Sequence, residues 1–205
     1  MLEGVSDAIL MSYKSGKVYR FGDKSLGTNK IELKGLRANP TAINGSNKIQ
    51  AHYENTLKPT GTIILNAVPF EVLADLTSWD ADGSDGFYKP SKTYNKVGLV
   101  AVFPKWGVAK ERVYAFKRGV LTLQNVSGTT DSDSKKSMAT VSLSFAAEYD
   151  ENGDIEWAGD FDTDAGADAA IKMFNWSQPV DPGEYDDDTK TPAVKTATPS
   201  NPTTH

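Results

Sequence analysis

The 205-residue chain has no cysteine and only two histidines, His52 and His205. Disulfides, thiolate metal sites and cysteine nucleophiles are excluded together. A serine–histidine–aspartate triad or an imidazole metal centre would rest on His52 alone, which lies in a polar stretch with no partner at a recognisable spacing. It reads as a surface or interface residue. The longest mainly apolar run, residues 97–103, falls far short of the ~20 residues of a membrane span. The opening MLEGVSDAIL carries Glu3 and Asp7 where a secretory signal would have a basic start. No phosphate-cradling loop is present, because Gly45 and Gly61 lack the Gly-Lys-Ser/Thr ending. These absences disfavour catalysis, membrane insertion and metal chemistry, and nothing calls for a cofactor.

What is present suits a packed core. Hydrophobic residues make up 39% of the chain, and about 47% with the 17 glycines counted. The net charge of −5 argues against a general nucleic-acid binder. That charge is unevenly placed. Residues 148–190 hold 14 acidic and 2 basic side chains, whereas residues 1–147 hold 19 basic and 13 acidic ones. The segregation suggests an acidic face or tail with its own role.

Alternating side chains at 17–21 and 31–34 mark strands buried on one face. Residues 38–58 are polar and rich in asparagine, and Asn44-Gly45 predicts the turn of a long polar hairpin. Residues 60–67 form a strand with Ile63 and Leu65 on one face. A helix follows at 68–76, with Pro69 in its first turn and Phe70, Leu73 and Ala74 as its packing face. Residues 80–96 read as a surface loop, 97–106 as a buried strand, and 112–123 as a strand with a bulge or bend at Lys117-Arg118-Gly119. Residues 138–149 place Val141, Leu143, Phe145 and Ala147 on one side and Thr140, Ser142 and Ser144 on the other. Asn152-Gly153 predicts a hairpin into 154–157, and Thr163 caps a second helix over 163–175.

The sum is mainly β: about seven strands in an antiparallel β-sandwich or barrel with one packed α-helix. A C-terminal hairpin-helix extension is added to it. The expected divisions are a β domain over 1–149 with its polar loop at 38–58, an acidic hairpin and helix at 150–176, and a Pro/Thr-rich tail or linker at 177–205.

Candidate chemistry is thin. Residues 80–86, DADGSDG, resemble a calcium loop, but the sixth and twelfth positions hold Asp85 and Ser91 in place of the required Gly and Glu. Residues 150–154 fail similarly, and a hairpin turn accounts for them. Paired carboxylates of the glycosidase type arise by chance among acids this dense. Trp79, Trp106, Trp157 and Trp176 suit core packing or subunit contact ahead of a sugar-binding face. The hydroxyl row Thr140, Ser142 and Ser144 is either a solvated strand face or the lining of an aqueous channel.

The order of pieces then becomes recognisable. A strand ending in Gly35-Leu36 precedes a polar loop with Asn39-Pro40. Next come a strand leading into VPFEVL at 68–73, then VGLVAVFPKW, RVYAFKRGVLTLQNVS and MATVSLSFAA. Over about residues 4–149 this resembles the major tail protein (tail tube) family of long, flexible-tailed bacteriophages. The resemblance implies a β-sandwich or split barrel whose copies close into homohexameric rings. The rings stack into a conduit, assembled in the host cytoplasm and carried in the virion tail, through which double-stranded DNA passes without specific binding. It further implies tape measure and tail terminator proteins as partners, and no membrane. By position, inter-ring contact falls to the 38–58 loop with Asn39, Asn44, Gly45, Asn47, His52 and Tyr53, the inner strands draw on 31–36, 60–67, 113–123 and 139–147, and the lumen-facing residues are Thr140, Ser142 and Ser144. TKTPAVKTATPSNPTTH resembles a linker to a further C-terminal domain, so a longer read-through product is expected. The rival readings are a secreted carbohydrate-binding β-sandwich and another virion part, such as a head–tail connector or capsid decoration protein.

Overall fold

The computed structural model describes residues 1–2, 4–22, 27–37, 40–45, 48–54, 56–83, 86–128 and 139–180, with residues 40–54 described as backbone only. Its principal sheet is antiparallel. Strands β1 (Asp7–Ser12) and β2 (Val18–Phe21) form a hairpin at one end, and β3 (Thr28–Lys34) lies at the other. A separate ladder joins β4 (Pro40–Gly45) to β5 (Lys48–Glu54). After β6 (Thr60–Asn66) come helix α1 (Phe70–Leu76) and a short hairpin of β7 (Trp79–Ala81) and β8 (Tyr88–Pro90). The chain then runs through β9 (Lys96–Pro104), β10 (Lys110–Ser127), β11 (Thr140–Ala147), β12 (Trp157–Asp162) and α2 (Ala165–Phe174). Sheet order is β2-β1-β9-β10-β11-β6-β3, with β12 also on β10.

The 18-residue β10 organises this sheet. Its first half pairs with β9 and β12, and its second half with β11. Between the halves, Phe116 faces Leu99 but Gly119 faces Val97, so β10 carries one extra residue. Such a bulge bends a strand and exchanges which side chains point inward. Phe116 and Leu121, of opposite parity, therefore enter the same core. Gly119 is required by space: a Cβ there would lie 2.6 Å from the Ala146 carbonyl oxygen and 2.5 Å from Phe145 Cζ.

The bend folds the sheet into two layers. The ends of the path meet where Thr28 Oγ1 donates to the Phe21 carbonyl at 2.7 Å. Between the layers lie Leu10, Phe21, Ile63, Leu65, Leu99, Phe116, Leu121, Leu143 and Phe145, joined by Val72, Leu73 and Leu76 of α1. A second core covers the other side of the first layer, where Ile9, Val100, Val102, Val113 and Ala115 meet Ala167, Ala170 and Ile171 of α2 and Trp176.

Double burial explains the strand that sequence reading misses. β1 has apolar residues facing both cores and no alternation, as strands covered on both faces do. The residue signals place other features imperfectly. Leu73 and Ala74 are buried as expected, but Phe70 is 44% exposed and packs against Trp79 and Tyr88 at ring distances of 5.7 and 5.2 Å. Asn44 pairs with Ile49 and Gly45 with Lys48, so Asn44-Gly45 belongs to the ladder and is not the hairpin turn; residues 46–47 lie outside the described residues. The surface loop expected over 80–96 contains β8 and the end of β7.

The turn near 150–154 is present, with Asp150 Oδ1 accepting from the Asn152 and Asp154 amides at 2.8 and 3.0 Å. The strands flanking it pair with successive halves of β10, not with each other. Thr163 does not cap α2. Asp164 occupies the cap with φ 68° and makes no side-chain cap bond. Buried Glu111 of β10 substitutes for it, accepting the Gly166 amide at 2.8 Å and the Asp164 amide at 3.2 Å. This carboxylate satisfies orphan donors at the positive end of the helix.

Replacing Gly119 by alanine is expected to destabilise the fold by about 2–3 kcal/mol, because neither the carbonyl nor the packed ring can yield freely. Urea unfolding measures it. A cost within ~0.5 kcal/mol, the range of ordinary surface changes, would show that the close approach does not constrain the bend.

Candidate functional site

The second layer, made of β3, β6, β11 and the second half of β10, has one face in the core. Its other face is unusual in chemistry. On β11 this face carries Thr140, Ser142, Ser144 and Ala146, and on β6 it carries Thr60, Thr62, Ile64 and Asn66. Ser144 stands opposite both Thr62 and Thr122, so the hydroxyls form a row across three strands. Thr60, Thr62 and Ala146 are exposed. The charged residues here are confined to β3, where Glu32 accepts from Lys34 at 2.8 Å and from Lys30 at 3.0 Å. Those two ammonium groups, Lys34 foremost, hold the Glu32 carboxyl down at about 2.

Both lateral edges of this layer are open among the described residues. β3 pairs only with β6. β10 loses β9 after the Val120–Lys96 pair, so from Leu121 onward one side of it is unpaired. The first layer treats its edge differently. The Val180 amide donates to the Val18 carbonyl at 2.8 Å and the Arg20 amide to the Val180 carbonyl at 3.2 Å, which covers part of β2. Trp176, buried over Gly98, anchors that segment.

Ion pairs gather at the bend. Lys96 Nζ donates to Glu148 Oε2 at 2.7 Å, Arg118 Nε lies 3.5 Å from the same carboxylate, and Lys117 meets Asp150 at 3.3 Å. At the start of β10, Asp160 accepts from Arg112 at 2.8 and 3.0 Å and from Lys105 at 2.6 Å. These bonds, Arg112 first, hold its carboxyl far below the usual carboxylate range. Glu156 is the exception to this pairing. Its Oε2 is buried with no hydrogen-bond partner, and burial raises its pKa against the opposing pull of Arg37.

The sequence-predicted residues separate into two places. Asn39 and Asn47 lie outside the described residues. Asn44 and Gly45 end β4, while His52 and Tyr53 lie in β5 opposite Ala42 and Thr41. That hairpin leaves the layer where Lys34 pairs with Thr60, at the same end as the bend. Thr140, Ser142 and Ser144 share the hydroxyl face. Sequence reading placed 60–67 among the inner strands but did not single out Thr60 and Thr62. Among the described residues no group of three or more His, Asp or Glu could hold a metal ion, and no helix is long and apolar enough to cross a membrane.

Residues 12–182 match the family described as phage tail tube protein. The match continues through β12, α2 and the Val180 bridge. A comparison with curated proteins found no match.

Glu156→Gln is expected to raise the melting temperature at pH 7 more than at pH 4. A glutamate whose folded pKa is raised contributes stability below its ordinary 4.5 and loses it as pH rises through the folded value. The neutral amide escapes that loss. An equal or smaller gain at pH 7, read from thermal melts at both pH values, would contradict the burial of this group.

Proposed function

The chain belongs to the phage tail tube protein family, and from that premise we propose how this structural subunit builds its tube. Copies join edge to edge, β3 of one beside the second half of β10 in the next. Hexameric rings formed this way stack into a hollow conduit for DNA ejection. The observation that carries this reading is a four-stranded layer with two edges open among the described residues and a face whose β6 and β11 rows are uncharged and rich in hydroxyls.

The topology supports it. β3 and β10 run in opposite directions in one layer, because three antiparallel pairings separate them. Rotation about a ring axis preserves strand direction along that axis, so each new junction is also antiparallel. The contact uses two different patches and closes by rotation, as a heterologous ring does. Closure satisfies backbone groups that would otherwise invite uncontrolled pairing.

The hydroxyl face, with Thr140, Ser142, Ser144, Thr60 and Thr62, then lines the lumen. It offers hydrogen bonding but little charge, and the subunit's net charge of −5 repels phosphate. DNA is surrounded and not held. The β4–β5 hairpin projects from the end of the layer and meets the adjoining ring. Tape measure and tail terminator proteins are the partners inside and at the end of such a tube, which forms in the host cytoplasm.

Electron microscopy of the concentrated protein is expected to show rings and tubes. A strict monomer at all concentrations would overturn the reading. Deleting residues 44–53 should leave a folded subunit that closes rings without stacking them. Tubes of normal length from that variant would remove the hairpin from the contact.

A further inference from the structure

The β9–β10 turn carries an aromatic residue where solvent is expected. Trp106 is 67% exposed, beside exposed Val108 and Leu2, and its amide donates to the Met1 carbonyl at 2.9 Å. Trp106, Val108, Leu2 and Met1 together expose apolar surface at this tip, and a grouped apolar patch marks a contact surface where a lone residue would not. The register locates this tip. Asp7 pairs with Val102 and Ser12 with Val97, so the β1–β2 turn and the start of β9 lie at the opposite end of the same strand pair. At about 3.4 Å per residue, the nine residues of β9 set the two ends on the order of 30 Å apart.

That opposite end holds a cavity of about 440 Å³. Tyr13, Tyr94, Lys14 and Asp80 line it, together with Lys96, whose ammonium is held by Glu148. Tyr94 is 68% exposed, and Lys14 donates to Asp80 at 2.7 Å. Rings and cations around one opening suit an aromatic guest, through edge contacts and cation–π attraction. An indole N–H entering it finds acceptors in Asp80 and the tyrosine hydroxyls.

We propose that Trp106 of one copy seats in the Tyr13–Tyr94 cavity of a copy in the adjoining ring. The knob and the hole are at opposite ends of one strand pair, so the contact is heterologous and repeats along the tube without closing. It rests on the stacked-ring reading and adds a second contact to that of the β4–β5 hairpin.

The cysteine-free chain makes the test clean. Trp106→Ala, at an exposed position, should leave a folded subunit that closes rings but needs about tenfold or more higher concentration to form tubes. Tyr94→Ala should weaken stacking in the same direction. In a Val108→Cys, Thr93→Cys double variant, which keeps both Trp106 and Tyr94, a short bis-maleimide should produce a ladder of linked subunits from tubes and none from separated rings. Either tubes at the wild-type concentration from Trp106→Ala, or tubes that do not cross-link, overturns the contact while leaving the ring reading intact. Cross-linking within separated rings overturns it as well, by placing the cavity against a neighbour in the same ring. A wild-type protein that makes neither rings nor tubes sinks both readings.

Discussion

The extra residue in β10 is the constraint on which the rest of the structure depends. Without it, side chains beyond Phe116 would keep one parity, and Leu121 and Leu123 would face away from the core. With it, one strand leaves the first layer and enters the second while keeping its apolar side inward. The bend also gives β10 room for two partners on one side, β12 along its first half and β11 along its second. Gly119 admits the ring of Phe145 at the corner, and Lys96, Arg118, Lys117, Glu148 and Asp150 tie the same corner by charge. The edge of β10 beyond Val120 is open because β9 begins at Lys96, the partner of Val120.

The two layers handle exposure in opposite ways. The first is covered on both faces, by the second layer and by α2, and part of its β2 edge is closed by Val180. α2 sits close because Gly166, Ala167 and Ala170 are small, and because Glu111 reaches from β10 to satisfy its first amides. Among the described residues, the second layer keeps an uncovered face and two open edges. A free edge is a hazard that folds ordinarily blunt. Leaving two on one layer while covering the other is the arrangement expected when another copy supplies the missing strands.

Much of this was legible in the residues, and the exceptions share a physical cause. β11 alternates strictly because one side meets the core and the other does not, and the bulge announced itself through two charged residues and a glycine inside an apolar strand. β1 gave no such signal, because burial on both faces erases alternation. The α2 cap was invisible because Glu111 stands 53 residues from Asp164 and 55 from Gly166. Phe70 had the right helical spacing, but its ring turns to the neighbouring Trp79 and Tyr88. The hydroxyl face was half seen: β11 showed it, whereas its continuation on β6 needed the register of the two strands. The exposure of Trp106 could not be read at all, since a tryptophan at a strand end suits a core equally well.

The uneven charge of the sequence acquires a meaning from the pairing. Glu148, Asp150 and Asp160 belong to the acidic segment, and each meets cations of the basic body: Lys96 and Arg118, Lys117, and Arg112 with Lys105. The segregation along the chain is therefore complementarity in space. The acidic segment follows β11, and its ion pairs lie along the β9–β10 ladder and the bend. The body can be basic where it needs to bind its own C-terminal part without presenting those cations on the hydroxyl face. What remains on that face is hydroxyl, methyl and amide, with a single Lys-Glu-Lys cluster on β3 that largely neutralises itself. A surface intended to hold nucleic acid would gather its lysines and arginines there; among the described residues, Lys96, Lys105, Arg112, Lys117 and Arg118 are set against the protein's own carboxylates instead.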